Sequence, residues 1–249
     1  MRRGLLRLAR GVADALFPER CAACAAIVAA HELFCHACRD RVNALGPPEC
    51  ERCGRPLPGG TYCAACAAED DAPVRRARAV ARYDAGLAGS PVAVALRAFK
   101  YRGAWRFAPR LAAMMSARAP APLAVPLVVP VPLHVARLRQ RGFNQSALLA
   151  AHVADALGWP HAPRLLERTR DTPSQTALAA AARRANVECA FRVRRRGSAR
   201  DRYVLLIDDV WTSGATARAA ARALRLDGVR AVDVLTFARV ADARYEPSV

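Results

Sequence analysis

The chain predicts an α/β domain on a mostly parallel central sheet, preceded by a small metal-binding ribbon module. Three observations carry this expectation. Four C-x-x-C pairs crowd the first 66 residues. "LVVPV" (127–131), "RYVLLID" (202–208) and "AVDVLTFA" (231–238) keep their apolar residues in blocks, as strands covered on both faces do. Stretches with helical apolar spacing alternate with those strands, several of them closed by glycine. With 249 residues, one sizeable core plus a smaller module can form.

The first stretch, "MRRGLLRLARGVADALF", begins like a secretory signal, but Arg7, Arg10 and Asp14 interrupt any apolar core and no small-residue cleavage site precedes Cys21. Leu5, Leu8, Val12 and Leu16 instead line one stripe of a short amphipathic helix. Apolar runs fall far short of the roughly 20 residues that span a bilayer. A cytoplasmic protein is the expectation.

The cysteines come next, as "CAAC" (21–24), "CHAC" (35–38), "CERC" (50–53) and "CAAC" (63–66). A C-x-x-C turn points two sulfurs at one tetrahedral centre, and two such turns complete a four-thiolate zinc site. Cys21, Cys24, Cys35, Cys38, Cys50, Cys53, Cys63 and Cys66 are therefore candidate ligands for two structural Zn²⁺ ions. Gly54 suits the tight knuckle after Cys53. A disulfide framework is disfavoured in a reducing cytosol, and four regular copies argue against a single catalytic dithiol. His31 and His36 are bystanders, because each couple already supplies four thiolates. Sequential ribbons are the simple connectivity, and a crossed one stays open. Few large apolar side chains occur here, so metal binding must supply much of the folding free energy.

"EDDAPVRRAR" (69–78) switches from acid to base around Pro73 and divides residues 1–72 from a domain over 73–249. "AVARYD" (79–84) reads as a strand, 86–103 as a turn and helix, and 104–118 as a second helix. "RAPAPLAVP" is a connector. Strand 127–131 leads through an Arg-rich loop to a helix over about 144–158. An Ala-rich helix is expected at 174–185. After strand 202–208 come a helix at about 214–227, stopped by Gly228, and strand 231–238. Only the ribbon is repeated.

Charge separates the two parts. Residues 1–72 hold nine arginines and nine acids, so the other 30 basic and 12 acidic residues, all in 73–249, carry the entire +18. A surplus of that size implies polyanionic partners, nucleic acid or a phosphate-rich substrate, although a GC-rich genome also writes arginine freely. The zinc-loaded ribbons, eight thiolates with two Zn²⁺, would add about −4 to the near-neutral segment. The positive field therefore does not lie there. Of 39 basic residues only Lys100 is a lysine, which marks a position suited to a compact ammonium.

"LLIDDVWTSGAT" (205–216) places two acids at a strand end and then a small, hydroxyl-rich turn. In open α/β sheets, ligands bind outside the carboxyl ends of strands. Thr212, Ser213, Gly214, Ala215 and Thr216 can bring backbone N–H groups, hydroxyls and a helix N-terminus onto one phosphate. Carboxylates do not bind phosphate, but Asp208 and Asp209 can accept hydrogen bonds from sugar hydroxyls. The stretch therefore suits a ligand with both a phosphate and a ribose diol. Arg137, Arg139 and Arg141, after strand 127–131, are three guanidinium groups suited to bidentate phosphate contact. Asn144 and Gln145 can cap the next helix or touch ligand.

Val204–Ile207, Asp208–Asp209 and Thr212–Thr216 resemble, without a gap, the signature of type I phosphoribosyltransferases. The resemblance implies a type I phosphoribosyltransferase-like domain in which the loop holds the 5′-phosphate of phosphoribosyl pyrophosphate (PRPP) and the acids hold the 2′- and 3′-hydroxyls. Within that group the chain is similar to the ComF family (ComFC/GntX-like) over nearly its whole length. Paired C-x-x-C ribbons follow "LFPERC", and then come "FKYRG" (99–103), "VPVPLHVARLRQRGFNQS" (129–146), "RTRDTPSQ" (168–175) and "RRANVECAF" (183–191). Cys189 departs from the pattern, where glycine is expected.

This second resemblance implies glycosyltransferase activity on PRPP with Mg²⁺ and an unknown nitrogen acceptor. In that scheme Arg137 and Arg141 belong to a pyrophosphate loop. Arg168 and Arg170 belong to a mobile loop over the leaving group, with Gln175 nearby, and Lys100 reaches in from the acceptor side. It also implies association with DNA uptake in natural competence and contact with single-stranded DNA. Arg218, Arg222 and Arg225 on one helix face, and "RVRRRGSARDR" (192–202), are the candidate patches. An alternative has PRPP as a regulatory ligand of a DNA-handling protein without turnover. A sparse aromatic content argues against a long base-stacking platform.

Overall fold

Among the described residues, four strands form the central sheet in the order β1 (Arg76–Tyr83), β6 (Ala231–Val240), β5 (Tyr203–Trp211) and β2 (Leu127–Pro130), and every pairing is parallel. The computed structural model describes residues 18–69, 71–84, 89–170 and 190–240. The expected N-terminal helix, the Ala-rich helix at 174–185, Gln175 and Cys189 lie outside them. The expected class, mixed α/β with a parallel central sheet behind a cysteine-rich module, is what the structure contains.

The unbroken apolar blocks have a direct cause. Successive side chains of a strand leave on opposite faces, and here both faces are covered. Leu205 and Ile207 point into one core, Val204 and Leu206 into the other. The first core packs α3 (Pro91–Tyr101), α4 (Ala108–Ser116) and α6 (Gln145–Leu157) on the sheet through Phe99, Leu111, Met115 and Leu149. The second packs α7 (Ala215–Leu226) through Ala220, Ala221 and Leu224. Each fully buried leucine contributes about 1.5–3 kcal/mol.

Several stretches differ from expectation. The Arg-rich block after β2 is not a loop but helix α5 (Val135–Arg141). His134 caps its start by accepting from the Ala136 N–H at 3.4 Å, and Gly142 closes its end with φ 81°. Helix 104–118 begins as a 3₁₀ turn, Trp105–Phe107, before Pro109 opens α4. The segment around Arg168 forms β3 (Leu166–Arg168), paired antiparallel with β4 (Phe191–Val193) in a ribbon that joins the second core. Strand β5 also runs three residues beyond the expected end, to Trp211.

Both cysteine ribbons dock on the α/β domain. The first, carrying α1 (His36–Arg39), puts Cys21, Leu33, Phe34 and Cys38 into the main core. Its anchor is Arg110 of α4, 6% exposed, which donates to the Glu32 carbonyl at 2.7 Å and to Glu19 Oε2 at 2.8 Å. The second, carrying α2 (Ala64–Ala67), lies against β1, where Ala77 N donates to Arg52 O at 2.7 Å. Gly54 permits that approach: its φ is +66°, and a Cβ there would sit 2.4 Å from the Ala77 carbonyl oxygen. Glu49 locks the joint between Arg118, at 2.7 and 2.8 Å, and Arg78, at 3.0 Å. No helix among the described residues is long and apolar enough to cross a membrane.

Candidate functional site

Three chain segments meet at the carboxyl end of β5. The strand brings Asp208 and Asp209, the last turn of α3 brings Lys100, and the start of α6 brings Ser146. Lys100 Nζ lies 2.6 Å from Oδ2 of Asp209, whose side chain is 6% exposed. This is an ion pair without an aligned hydrogen bond at Oδ2. Asp208 is half-buried, and its Oδ1 accepts from Ser146 Oγ at 2.8 Å and from the Asp209 N–H at 2.9 Å. Ser146 is itself placed by Asn144, which caps α6 by accepting from the Ser146 N–H at 3.0 Å and donates to the Val131 carbonyl at 3.1 Å.

Electrostatics distinguish the two acids. Loss of solvation, then the adjacent Asp209 charge, pushes the Asp208 carboxyl up to about 7; Ser146, the Asp209 amide and Lys100 only partly offset this. For Lys100, burial works against its charge, but Asp209 and then Asp208 more than compensate and hold its pKa above the ordinary lysine value. The site therefore presents a compensated Lys100–Asp209 pair beside a carboxyl that titrates near neutrality, able to accept or donate a hydrogen bond to a hydroxyl.

The turn beyond β5 joins the strand to α7. Gly214, with φ 76°, is the residue before α7, and no acid occupies the first turn of that helix, so its positive end is not neutralised. Thr212 and Ser213 are exposed, and Ser213 Oγ accepts from the Ala215 N–H at 3.4 Å. Thr216, half-buried, follows on the first turn of α7.

The remaining cations are dispersed. Arg137 is half-buried on α5; Arg141 donates to Gln145 Oε1 at 2.6 Å and lies 5.0 Å from the Tyr101 ring centre, next to Lys100. Arg168, half-buried on β3, lies with its guanidinium 5.5 Å from the ring centre of Phe191, which belongs to the core on the opposite sheet face from α3, and Arg170 is exposed just beyond. Of the supposed basic patches, Arg192 pairs with Glu167, Arg194 lies 3.4 Å from the same carboxylate, and Arg225 donates to the Val229 carbonyl at 2.9 Å.

The sequence motifs assign no role to Ser146, Trp211 or Arg239. Ser146 closes the block "VPVPLHVARLRQRGFNQS", where only its place at the start of a helix hinted at a role. Trp211 and Arg239 gave no signal, because their partners come from distant segments.

Both cysteine groups suit zinc. The sulfurs of Cys21, Cys24, Cys35 and Cys38 lie within 4.8 Å of one another, as do those of Cys50, Cys53, Cys63 and Cys66, which resolves the connectivity as sequential. The Cys24–Cys35 and Cys53–Cys63 sulfurs are 3.6 and 3.8 Å apart. A tetrahedral ion with bonds of about 2.3 Å requires ligand separations of about 3.8 Å.

Comparison with known proteins gives three findings. Residues 12–67 match the double zinc ribbon domain family. Competence protein F of Haemophilus influenzae is 34% identical over 110 residues, 44% of this chain and 48% of that protein. Competence protein ComFC of Bacillus subtilis is 29% identical over 213 residues, 83% of each chain. The chain thus spans about half of the first relative and most of the second. Among solved structures, glutamine PRPP amidotransferase of Bacillus subtilis, complexed with ADP and GMP, aligns at a TM-score of 0.38 with 19% identity, covering 55% of this chain and 30% of that one. That likeness is too slight to carry a functional conclusion.

Proposed function

We propose, for a chain that belongs to the ComF family with its N-terminal double zinc ribbon, that the carboxyl end of β5 binds PRPP and transfers its ribose 5-phosphate to an acceptor, in the service of DNA uptake. One observation carries the reading: Asp208 and Asp209 lie near the carboxyl end of a central parallel strand, which leads through Trp211 to the Gly214 turn and the unneutralised N-terminus of α7.

In this reading Thr212–Thr216 take the 5′-phosphate, and Asp208 and Asp209 take the ribose diol. Lys100, 2.6 Å from Oδ2 of Asp209, fixes that carboxylate in place to accept from a hydroxyl. Arg137 and Arg141, on the element after β2, face the pyrophosphate, and Arg170 covers it from the connection beyond β3. Bound with PRPP, Mg²⁺ supplies charge neutralisation to the pyrophosphate. Preorganised charge of this kind favours a departing anion while C1 gains positive character. The test is a thermal shift. PRPP with Mg²⁺ is expected to raise the melting temperature, and Asp208→Ala/Asp209→Ala to abolish the rise; no rise at millimolar PRPP refutes the reading.

A second reading, a single-stranded DNA-handling protein that uses PRPP as a regulatory ligand, is favoured by a different surface. Tyr101 and Trp105 are 71% and 66% exposed, flanked by exposed Arg97, Arg102 and Arg106 and adjoining Arg141. Aromatic faces among arginines suit unpaired bases. Pyrophosphate release in an acceptor screen favours the enzyme. PRPP binding without turnover, together with salt-sensitive oligonucleotide binding lost in Tyr101→Ala/Trp105→Ala, favours the alternative.

A further inference from the structure

We infer that the second cysteine cluster sets the position of the 212–216 turn through two arginines clamped on the Trp211 ring, so that ligand affinity at this turn depends on that cluster and not on the first. The ligand part rests on the PRPP reading above; the mechanical part does not.

Trp211 is 5% exposed and lies at the hinge between strand and turn. Gly214 packs directly on it: a Cβ at 214 would fall 2.3 Å from the indole Cζ2. The turn therefore rests on the ring and follows it. The ring in turn is held by cations. Arg239 of β6 lies with its guanidinium 5.8 Å from the ring centre, and Arg218 of α7 lies at 5.9 Å, both within cation–π range.

Each arginine leads back to the second cluster. Arg239 is 8% exposed, donates to the Cys53 carbonyl, and has Nη2 4.0 Å from Cys53 Sγ. A buried guanidinium requires compensating negative charge, and a four-thiolate zinc centre supplies it. Arg218 reaches Glu69 at 3.4 Å and donates to the Ser213 carbonyl, inside the turn, at 3.4 Å. Glu69 is fixed by Arg52, which donates to the carbonyls of Cys66 at 2.6 Å and Glu69 at 2.5 Å. Two routes, Cys53–Arg239–Trp211–Gly214 and Cys66–Arg52–Glu69–Arg218–Ser213, thus connect the ribbon to the turn. The first cluster docks instead through Arg110 on α4.

Arg239 and Trp211 are positioning residues, and amide hydrogen exchange on the zinc-loaded full chain tests them. Arg239→Gln is expected to raise exchange at 212–216 at least tenfold while leaving the α6 core amides unchanged; Arg239→Lys restores part of the protection, and Arg110→Gln leaves the turn at wild-type rates. PRPP affinity falls at least tenfold in Arg239→Gln. Trp211→Leu gives the same pattern and serves if Arg239→Gln does not fold. Wild-type exchange at 212–216 in both Arg239→Gln and Trp211→Leu, or an equal rise in Arg110→Gln, overturns the clamp. Should the wild-type chain bind no PRPP, the ligand reading fails while the exchange result still decides the clamp.

Discussion

The two cysteine clusters share spacing and ligand chemistry but occupy different places. The first is part of the main core: Cys21 and Cys38 are buried with Phe34, Leu96 and Leu111, and buried Arg110 secures the joint. The second forms a core of its own, Cys50, Cys53, Cys63 and Cys66 with Leu57 against it, and touches the domain through arginines. A ribbon that shares the core contributes to global stability. One joined through directional polar contacts can transmit position instead.

Metal removal is the strongest way to break that comparison. Cys38→Ser is expected to lower the melting temperature of the whole chain by more than about 10 °C, because it removes a metal ligand and opens the shared core. Cys63→Ser is expected to cost less melting temperature and more PRPP affinity. Calorimetry with ligand titration on both variants checks this, and equal losses in both quantities erase the distinction.

Next comes the joint of the second ribbon. Glu49→Ala leaves Arg78 and Arg118 without their shared carboxylate, whose side chain is 7% exposed. Breaking such a pair costs about 3 kcal/mol, or roughly 6–12 °C in melting temperature for a chain of this size. A fall below about 2 °C in a melting scan shows that the joint carries little.

The smallest effect is in pH. Asp208 is raised to about 7 in the folded chain, above its unfolded value near 4. The folded state then holds the proton more tightly, so this group favours folding fully below the unfolded value, and that contribution is lost as pH rises through 7. Stability of Asp208→Asn minus wild type should therefore increase between pH 5 and pH 8, measured by denaturant unfolding at each pH. A flat difference contradicts the raised value.

What the sequence disclosed follows from the reach of its signals. The strand carrying Asp208–Asp209 and its glycine turn were legible because apolar blocks, acids and turn residues sit within a dozen positions. The C-x-x-C spacing marked the metal ligands for the same reason, although grouping them required coordinates. The Arg-rich block concealed α5, because its cap is a histidine and its helix buries no side chain, leaving no apolar stripe to read. The β3–β4 ribbon was missed because its short strands lie far apart in sequence. The pairing of Lys100 with Asp209, and of Arg239 with Cys53, joins residues with no local pattern between them.

The central claim is that the end of β5 recognises a phosphorylated ribose. Isothermal titration of PRPP with Mg²⁺ into the zinc-loaded chain tests it most directly. The prediction is saturable binding that weakens at least a hundredfold in Asp208→Ala/Asp209→Ala and survives in Tyr101→Ala/Trp105→Ala. Absence of binding in the unmutated chain, or undiminished affinity without the two aspartates, contradicts it.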